Sequence, residues 1–449
     1  MTETDTGAGR PAFATGLPHV AYVLLWYPLF TQPFIFREVE GLKNLLPLSI
    51  YSLYGPNLRH CSTEMRAVAG ETHTFGMRAL FPVLAEVFRR LLLHPLDTLR
   101  LFRKIIVHRW RSWEILGENV WAFCVGMYLG RLFKEAGIDM IYAPWPRGTA
   151  TAAWVASHVA GIPFATAARG DNLEPADPDL GDKLTAAYFV RANNAADKLR
   201  IENFDKGQAA GKVELVYNSL TLPPLPGVPK HPKPPHPADD VPLHPMPRPV
   251  HILALGRFDV TKGFDVLIRA CGILRDRGLD FRLTLAGGGG AVMGLGRMET
   301  QILKLRRELH LEDRVALPGL VSHNELPRIL IEHDIFAAPC VVHSSGRRDG
   351  IPNTVIEALA YGLPVVSTTV NALPEVVRDG ETGLAVPPGD AEALADALLR
   401  LADDAALAAR LAGNGRILAS EMFDPQRNNQ RLADMFIRYY ARQESTCAA

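Results

Sequence analysis

Short apolar runs alternate with helix-length segments along almost the whole 449-residue chain, and the alternation is broken once, by a proline-rich stretch. Before that stretch the runs are His19–Leu25, Leu48–Leu53, Met140–Ala143, Phe164–Ala167, Lys198–Glu202 and Val213–Tyr217. After it they are His251–Leu255, Phe281–Ala286, Arg314–Leu317, Ile335–Ala338, Pro364–Ser367 and Leu384–Val386. Short apolar strands separated by helices imply parallel sheets covered on both faces. The break at 222–249 holds about a dozen prolines mixed with Lys, His and Asp. It cannot bury apolar surface and reads as a stiff linker. The expected architecture is α/β with two Rossmann-like, doubly wound domains, residues 1–221 and 250–420. A C-terminal helix within 421–449, bearing Phe436, Tyr439 and Tyr440, is expected to pack back on the first domain. In such sheets ligands bind at the carboxyl ends of the strands, so chemistry is sought just after each strand, in the cleft between domains.

Composition narrows the function classes. Lys and Arg balance Asp and Glu at 48 each, so no nucleic-acid partner is expected. Five cysteines without C-x-x-C spacing argue against a disulfide framework or a zinc site, and no metal is expected. The opening residues lack the basic start and apolar run of a signal peptide, and no apolar stretch reaches the length of a membrane span. The setting expected is cytoplasmic, or peripheral on the inner face of a membrane. Between 77 and 113, Arg89, Arg90, Arg100, Arg103, Lys104, Arg109 and Arg111 are interleaved with Leu, Ile, Phe and Trp. Two readings fit: an interfacial helix pair drawn to anionic lipid, or an amphipathic surface helix with a solvated basic face.

The densest chemical signal runs from Asp334 to Val386. Strand Ile335–Ala338 ends at Pro339, a polar loop follows, and a helix begins near Pro352–Asn353 and ends at Gly362. A strand, a polar loop and a helix N-terminus together favour anionic oxygen, because exposed amides and the helix dipole point the same way. Gly350, Ile351, Pro352, Asn353 and Thr354 line that approach. Glu357 shares a helix face with Asn353. A carboxylate there suits ribose hydroxyls better than phosphate, and Asp349 in the loop suits a sugar hydroxyl. The alternative is a solvated helix Glu and a capping Asp. The second signal is Leu253–Arg269, where Gly256 permits a tight turn, Arg257 and Lys262 bring two cations to a strand end, and Lys262 opens the helix that carries Phe264, Val266, Leu267 and Ile268. Arg can grip a diphosphate bidentately while Lys serves as a point charge; the alternative is two surface cations. The third is the glycine run after Phe281–Ala286, including Gly287 and Gly289, where backbone can approach a ligand closely. Asp177-Pro178-Asp179 reads as a turn rather than a metal motif.

The three signals, in this order, resemble glycosyltransferase family 4, a group of GT-B enzymes. The pattern G-R-x-x-x-x-K-G is carried by Gly256, Arg257, Lys262 and Gly263, and the acidic pair by Asp349 and Glu357, followed by E-A-x-A-x-G-x-P-V-V to Val366. The stretch P-E-V-V-x-D-G-x-x-G-L-x-V-P-P-G-D spans Pro374–Asp390. The run D-G-I-P-N-T-V-I-E-A-L-A is most similar to the subgroup that builds bacterial exopolysaccharides of the colanic-acid type. The N-terminal half matches more loosely, through Tyr22–Leu42 with its F-I-F-R-E-V-E, through Gly161-Ile162-Pro163 and Thr166-Ala167, and through Lys212–Ser219. The family's histidine after Thr-Ala is Ala168 here, with Arg169 next; Arg147, Arg169 and Asp171 are the acceptor-side candidates that remain.

The resemblance implies a retaining, metal-independent transferase moving a sugar from a nucleotide-diphosphate sugar to a glycan or lipid-linked acceptor. Arg257 and Lys262 would neutralise the diphosphate, Glu357 hold the ribose and Asp349 a hydroxyl of the sugar. Retention is ascribed in that family to same-face attack, with the leaving phosphate helping to take the acceptor proton. No cofactor beyond the donor is implied. Two other readings keep the fold: transfer to a soluble small molecule, and a catalytically silent binding module.

Overall fold

The computed structural model describes residues 16–59, 61–169, 173, 176–220, 249–288, 296–322 and 324–448. The expected linker at 222–249 falls outside them save for its last residue. Two parallel sheets organise the chain. The first contains β1 (Val20–Leu29), β2 (Leu48–Asn57), β3 (His73–Thr74), β4 (Met140–Ala143), β5 (Phe164–Ala168), β6 (Val190–Ala192) and β7 (Val213–Leu215), in the order β3-β2-β1-β4-β5-β6-β7. The second contains β8 (Val250–Arg257), β9 (Phe281–Gly288), β10 (Val315–Ala316), β11 (Ile335–Ala338), β12 (Val365–Thr368) and β13 (Leu384–Val386), in the order β10-β9-β8-β11-β12-β13. Winding reverses between β1 and β4 in one sheet and between β8 and β11 in the other, where Ile335 pairs with Ile252. These reversals open a crevice at the carboxyl ends of the strands.

Each sheet is buried on both faces, which is why its strands read as continuous apolar runs rather than alternating ones. Val23, Ile141, Phe164 and Val190 pack on one side of the first sheet, and Tyr22, Met140, Tyr142 and Phe189 on the other. The long C-terminal helix Pro425–Ala448 follows two helices of the second domain yet seals the first. Phe436 is fully buried against Tyr142, with ring centroids 5.2 Å apart, and Tyr439 meets Phe189 at 4.8 Å. Helix Pro33–Leu42 approaches it closely: a Cβ on Gly41 would lie 1.9 Å from Asn429 Nδ2.

One strand and one helix start differ from the expectation. Lys198–Glu202 is not a strand but part of helix Ala195–Asn203. Asn194 caps that helix by accepting from Asp197 N at 2.7 Å, and Leu199 points to solvent. The five-residue alternation of Lys-Leu-Arg-Ile-Glu therefore carried no face information. The strand lies earlier, at Val190–Ala192, where a buried arginine obscured the apolar pattern. Arg191 donates to Glu38 at 2.5 Å and to the carbonyls of Val216 and Tyr217, while Tyr22 OH donates to Glu38 at 2.6 Å. Burial works to raise the Glu38 pKa, but Arg191 and Arg169 outweigh it and hold the carboxyl below its usual range. Breaking one partner of such a buried pair leaves an uncompensated charge, at a cost of about 3–5 kcal/mol. In the second domain Lys262 does not open a helix; it closes a short 3-10 turn, and the helix begins at Phe264.

Because the C-terminal helix fills the first domain's core, Phe436→Ala should lower stability by about 3–5 kcal/mol. Chemical denaturation measures this, and a loss confined to the second domain's transition would contradict the packing described.

Candidate functional site

The carboxyl ends of β8 and β11 lie side by side, and two turns built on them press together. Asp259 organises the first turn, accepting from Thr261 N at 3.0 Å and from its hydroxyl at 2.9 Å. Arg347, from the loop after β11, donates to both oxygens of Asp259 at 2.5 Å. Val341 N donates to Thr261 O at 2.9 Å. Gly263 makes this contact feasible: its φ is +63°, and a Cβ there would stand 1.9 Å from the carbonyl oxygen of Pro339. The glycine of G-R-x-x-x-x-K-G is thus required twice, by its left-handed backbone and by the close approach.

That packing sets Lys262 Nζ 3.2 Å from Asp349 Oδ2. Burial alone would depress the ammonium's pKa, but Asp349 overcomes it and the pKa is raised. Arg257, exposed at the end of β8, opposes this with its own positive charge. Asp349 also accepts from Thr261 Oγ1 at 3.3 Å. Three of the four residues singled out in the sequence therefore converge: two cations beside one carboxylate, at the junction of two strand ends. Thr354, at the start of helix Asn353–Ala360, donates to Leu255 O at 3.3 Å and holds that helix tip against the end of β8.

Glu357 stands one turn further along the same helix, buried, with Arg37 of the first domain 3.8 Å away. Burial pushes its carboxyl up to about 7, and Arg37, at that distance, offsets only part of the effect. A cavity of ≈ 1070 Å³ is lined by Arg37 together with Phe36, Glu40, Met65 and Val68 of the first domain and with Asn324, Gln426 and Asn429. None of Arg257, Lys262, Asp349 and Glu357 lines it. The cavity and the charged constellation adjoin, since Arg37 lines the one and stands 3.8 Å from Glu357. The constellation is the better guide to chemistry, since charge rather than volume must meet an anionic ligand.

The first domain closes on this loop. A Cβ on Gly350 would come within 3.1 Å of Asn194 Nδ2. Asn371 Nδ2 bridges Asp349 O at 2.9 Å and Asp197 Oδ1 at 3.3 Å. Glu375 accepts from Ala195 N and Ala196 N at 3.0 and 2.9 Å, capping a helix of the other domain, and from Tyr217 OH at 2.7 Å. Asn218 Nδ2 lies 3.5 Å from Asn353 Oδ1. Arg37, Asn218, Asn371 and Glu375 escaped the sequence reading. Arg37 and Glu375 sit within the stretches F-I-F-R-E-V-E and P-E-V-V, but their partners are more than 150 residues away, which spacing does not reveal.

The remaining candidates are placed as follows. Gly287 has φ +152° and backs onto Gly256, so that a Cβ would lie 1.8 Å from Gly256 O; its role visible here is close packing of β9 on β8. Arg169 is buried, donating to Pro144 O and Asn218 Oδ1 and stacked between Phe34 and Trp145 at 4.9 and 4.8 Å. Arg147 pairs with Asp177 at 3.2 Å. Gly289 and Asp171 lie outside the described residues. Among the described residues no cluster of three His, Cys, Asp or Glu is placed to hold a metal ion.

Residues 249–404 match the family model of glycosyl transferases group 1. An amylovoran biosynthesis glycosyltransferase of Erwinia amylovora is 39% identical over 154 residues, which are 34% of this chain and 36% of that protein. A GDP-mannose-dependent phosphatidylinositol monomannoside mannosyltransferase of Mycolicibacterium smegmatis is 34% identical over 189 residues, 42% of this chain and 47% of that one. These alignments thus span less than half of each relative. The structure of HepE from Anabaena, solved with UDP-glucose, superposes with a TM-score of 0.63 at 17% identity, covering 93% of this chain and 98% of that chain. The two parallel-sheet domains are those of a GT-B glycosyltransferase fold.

Glu357 makes folding pH-dependent. The native state favours its protonated form, so its contribution is complete below the unfolded value of 4.5 and is lost as pH rises through about 7. The loss amounts to about 3 kcal/mol. Glu357→Gln should flatten the melting temperature between pH 5 and pH 8; an unchanged slope would mean that the carboxyl titrates normally. Gly263→Ala should cost at least about 1 kcal/mol from backbone strain and more from the collision with Pro339, read by the same melting experiment.

Proposed function

We propose that this GT-B chain transfers a sugar from a nucleoside-diphosphate sugar to a glycan or lipid-linked acceptor in cell-surface polysaccharide assembly. Transfer proceeds with retention of the anomeric configuration and without a metal. The observation that carries the reading is the Lys262–Asp349 contact beside Arg257, at a helix tip, beneath the closing first domain.

Breaking the bond to the anomeric carbon delivers negative charge to the diphosphate. Lys262 and Arg257 supply positive charge where that charge develops, and charge placed there favours the transition state over the ground state. With donor bound, Asp349 exchanges its contact with Lys262 for a sugar hydroxyl, freeing the ammonium for phosphate. Glu357 receives the ribose hydroxyls; its raised pKa marks a carboxyl that gains by acquiring hydrogen-bond donors. The two cations and the helix amides do the work a divalent ion performs in other transferases. Retention follows from attack on the face the diphosphate leaves, with a phosphate oxygen taking the acceptor proton. The relatives' names mention different nucleotides and acceptors, so the donor class is proposed here at the level of the diphosphate.

The test begins with the full-length chain and a panel of UDP-, GDP- and ADP-sugars scored by thermal shift. With the donor that binds, Lys262→Ala should leave the chain folded, judged by a cooperative ligand-free melt, and lower transfer by about 10²–10³-fold. Proton NMR of the product should show the donor's anomeric configuration, and a chelator should leave the rate unchanged. Full activity of the lysine variant would overturn the diphosphate role, and a product of inverted configuration would overturn retention.

A further inference from the structure

Helices Leu80–Leu93 and Pro95–Ile106 form a hairpin on the outer side of the first sheet, and the first of them is built inside out. A surface helix ordinarily turns charge to solvent and apolar residues to the core. Here Val83 is buried together with Glu86, and Arg90 is largely covered, while the opposite stripe of Phe81, Leu84, Phe88, Leu91 and Leu92 faces solvent. Phe81 is 81% exposed, Phe88 64% and Leu92 66%. Leu96, 68% exposed, and Leu99 continue the stripe along the second helix, and Trp113 beyond it is 86% exposed. Scattered exposed apolar residues need no explanation, but a contiguous field of this kind marks a docking surface.

Charge identifies the occupant. The segment 77–113 holds eight Lys or Arg against two acids. Neither acid confronts an approaching anion. Glu86 is buried between Arg89 and Arg131, and Asp97 is engaged by Arg90 and His158. Arg100 and Arg103 are exposed beside the apolar stripe, on the helix that carries Leu96 and Leu99. A second copy of the chain seated here about a two-fold axis would set these cations against each other. An apolar stripe flanked by cations, with an exposed Trp at one end, is instead complementary to the interface of an anionic bilayer.

We propose that the hairpin 80–106, with Trp113, lies in the headgroup region of an anionic lipid membrane. Its orientation follows from the fold. The first helix begins after the carboxyl end of β3, and Trp113 opens a helix whose Glu118 accepts from Gly148 N, just past the carboxyl end of β4. Both Met77 and Trp113 therefore stand at the sheet edge that faces the cleft, while Leu93 and Leu96 lie at the other end. The membrane contact runs up to the mouth of the cleft, where an acceptor held in the bilayer would enter. The inference does not rest on sugar transfer, because vesicle binding is read without donor or acceptor.

The test is co-sedimentation of the full-length chain with vesicles of phosphatidylcholine, with and without a third of phosphatidylglycerol, at low and high salt. Binding should require the anionic lipid, weaken with salt and shift the tryptophan emission to the blue. Phe81, Phe88, Leu92 and Leu96 all replaced by Ser should abolish binding with an unchanged circular-dichroism melt, since these side chains touch solvent already. Arg100→Gln with Arg103→Gln should weaken binding by about thirty-fold, near five-fold for each charge lost. The proposal is overturned if the chain stays in solution with anionic vesicles at low salt, or if the four-serine variant still binds. It is equally overturned if the surface proves to hold a second copy, shown by a dimer in light scattering that the serine variant dissolves and no vesicle binding.

Discussion

Lys262 reaches Asp349 because two parallel strands far apart in sequence are neighbours, and because a glycine lets the turns after them touch. β8 and β11 are adjacent at the switch point of the second sheet. Gly263 then admits the Pro339 carbonyl where any side chain would collide. Remove either condition and the cation and the carboxylate lie on separate loops. The ion pair Asp259–Arg347 ties the same two loops together. Burial of the lysine, which by itself would lower its pKa, is outweighed by the carboxylate brought to meet it. Lys262 and Asp349 already partner each other, so a ligand that takes either must exchange that contact rather than create one.

The first domain contributes closure more than charge. Its helix Ala195–Asn203 presents its N-terminal amides to Glu375, and Asn371 joins both domains through Asp197 and Asp349. These contacts are polar, and beside them Tyr217 packs its ring against Phe423 of the second domain, 5.7 Å between centroids. The permanent link is the C-terminal helix, which leaves the second domain and completes the core of the first. The buried Arg191–Glu38 pair holds the carbonyls of Val216 and Tyr217, the residues that lead to Asn218 at the interface. The buried pair of the first domain is thereby tied to the edge that meets Asn353 of the second.

The same domain turns an apolar stripe outward on its far flank, so that one α/β unit presents a polar closing edge, a sealed core and an apolar, cationic exterior. None of the described helices is long and apolar enough to cross a membrane. The stripe's arrangement instead matches an element lying along an interface.

Much of the fold was legible because burial on both faces of a parallel sheet leaves a simple mark, a short apolar run bounded by turns. Met140–Ala143, Ile335–Ala338 and Leu384–Val386 were found to the residue for that reason. Val190–Ala192 was missed because its central residue is a buried arginine whose partner, Glu38, is far away in the chain. The loop residues Arg257, Lys262 and Asp349 were legible because a strand end and a helix start each have local grammar, caps and glycines, that advertise exposed amides. What the sequence determined by itself was therefore local: which segments are strands, where they stop, and which charged side chains stand just beyond them. Tertiary structure decided that Arg37 meets Glu357, that Glu375 caps a helix of the other lobe, and that Phe88 faces water while Glu86 does not. Those outcomes depend on which surfaces are brought together through space, and a helix pattern gives the width of an apolar stripe without giving the direction in which it points.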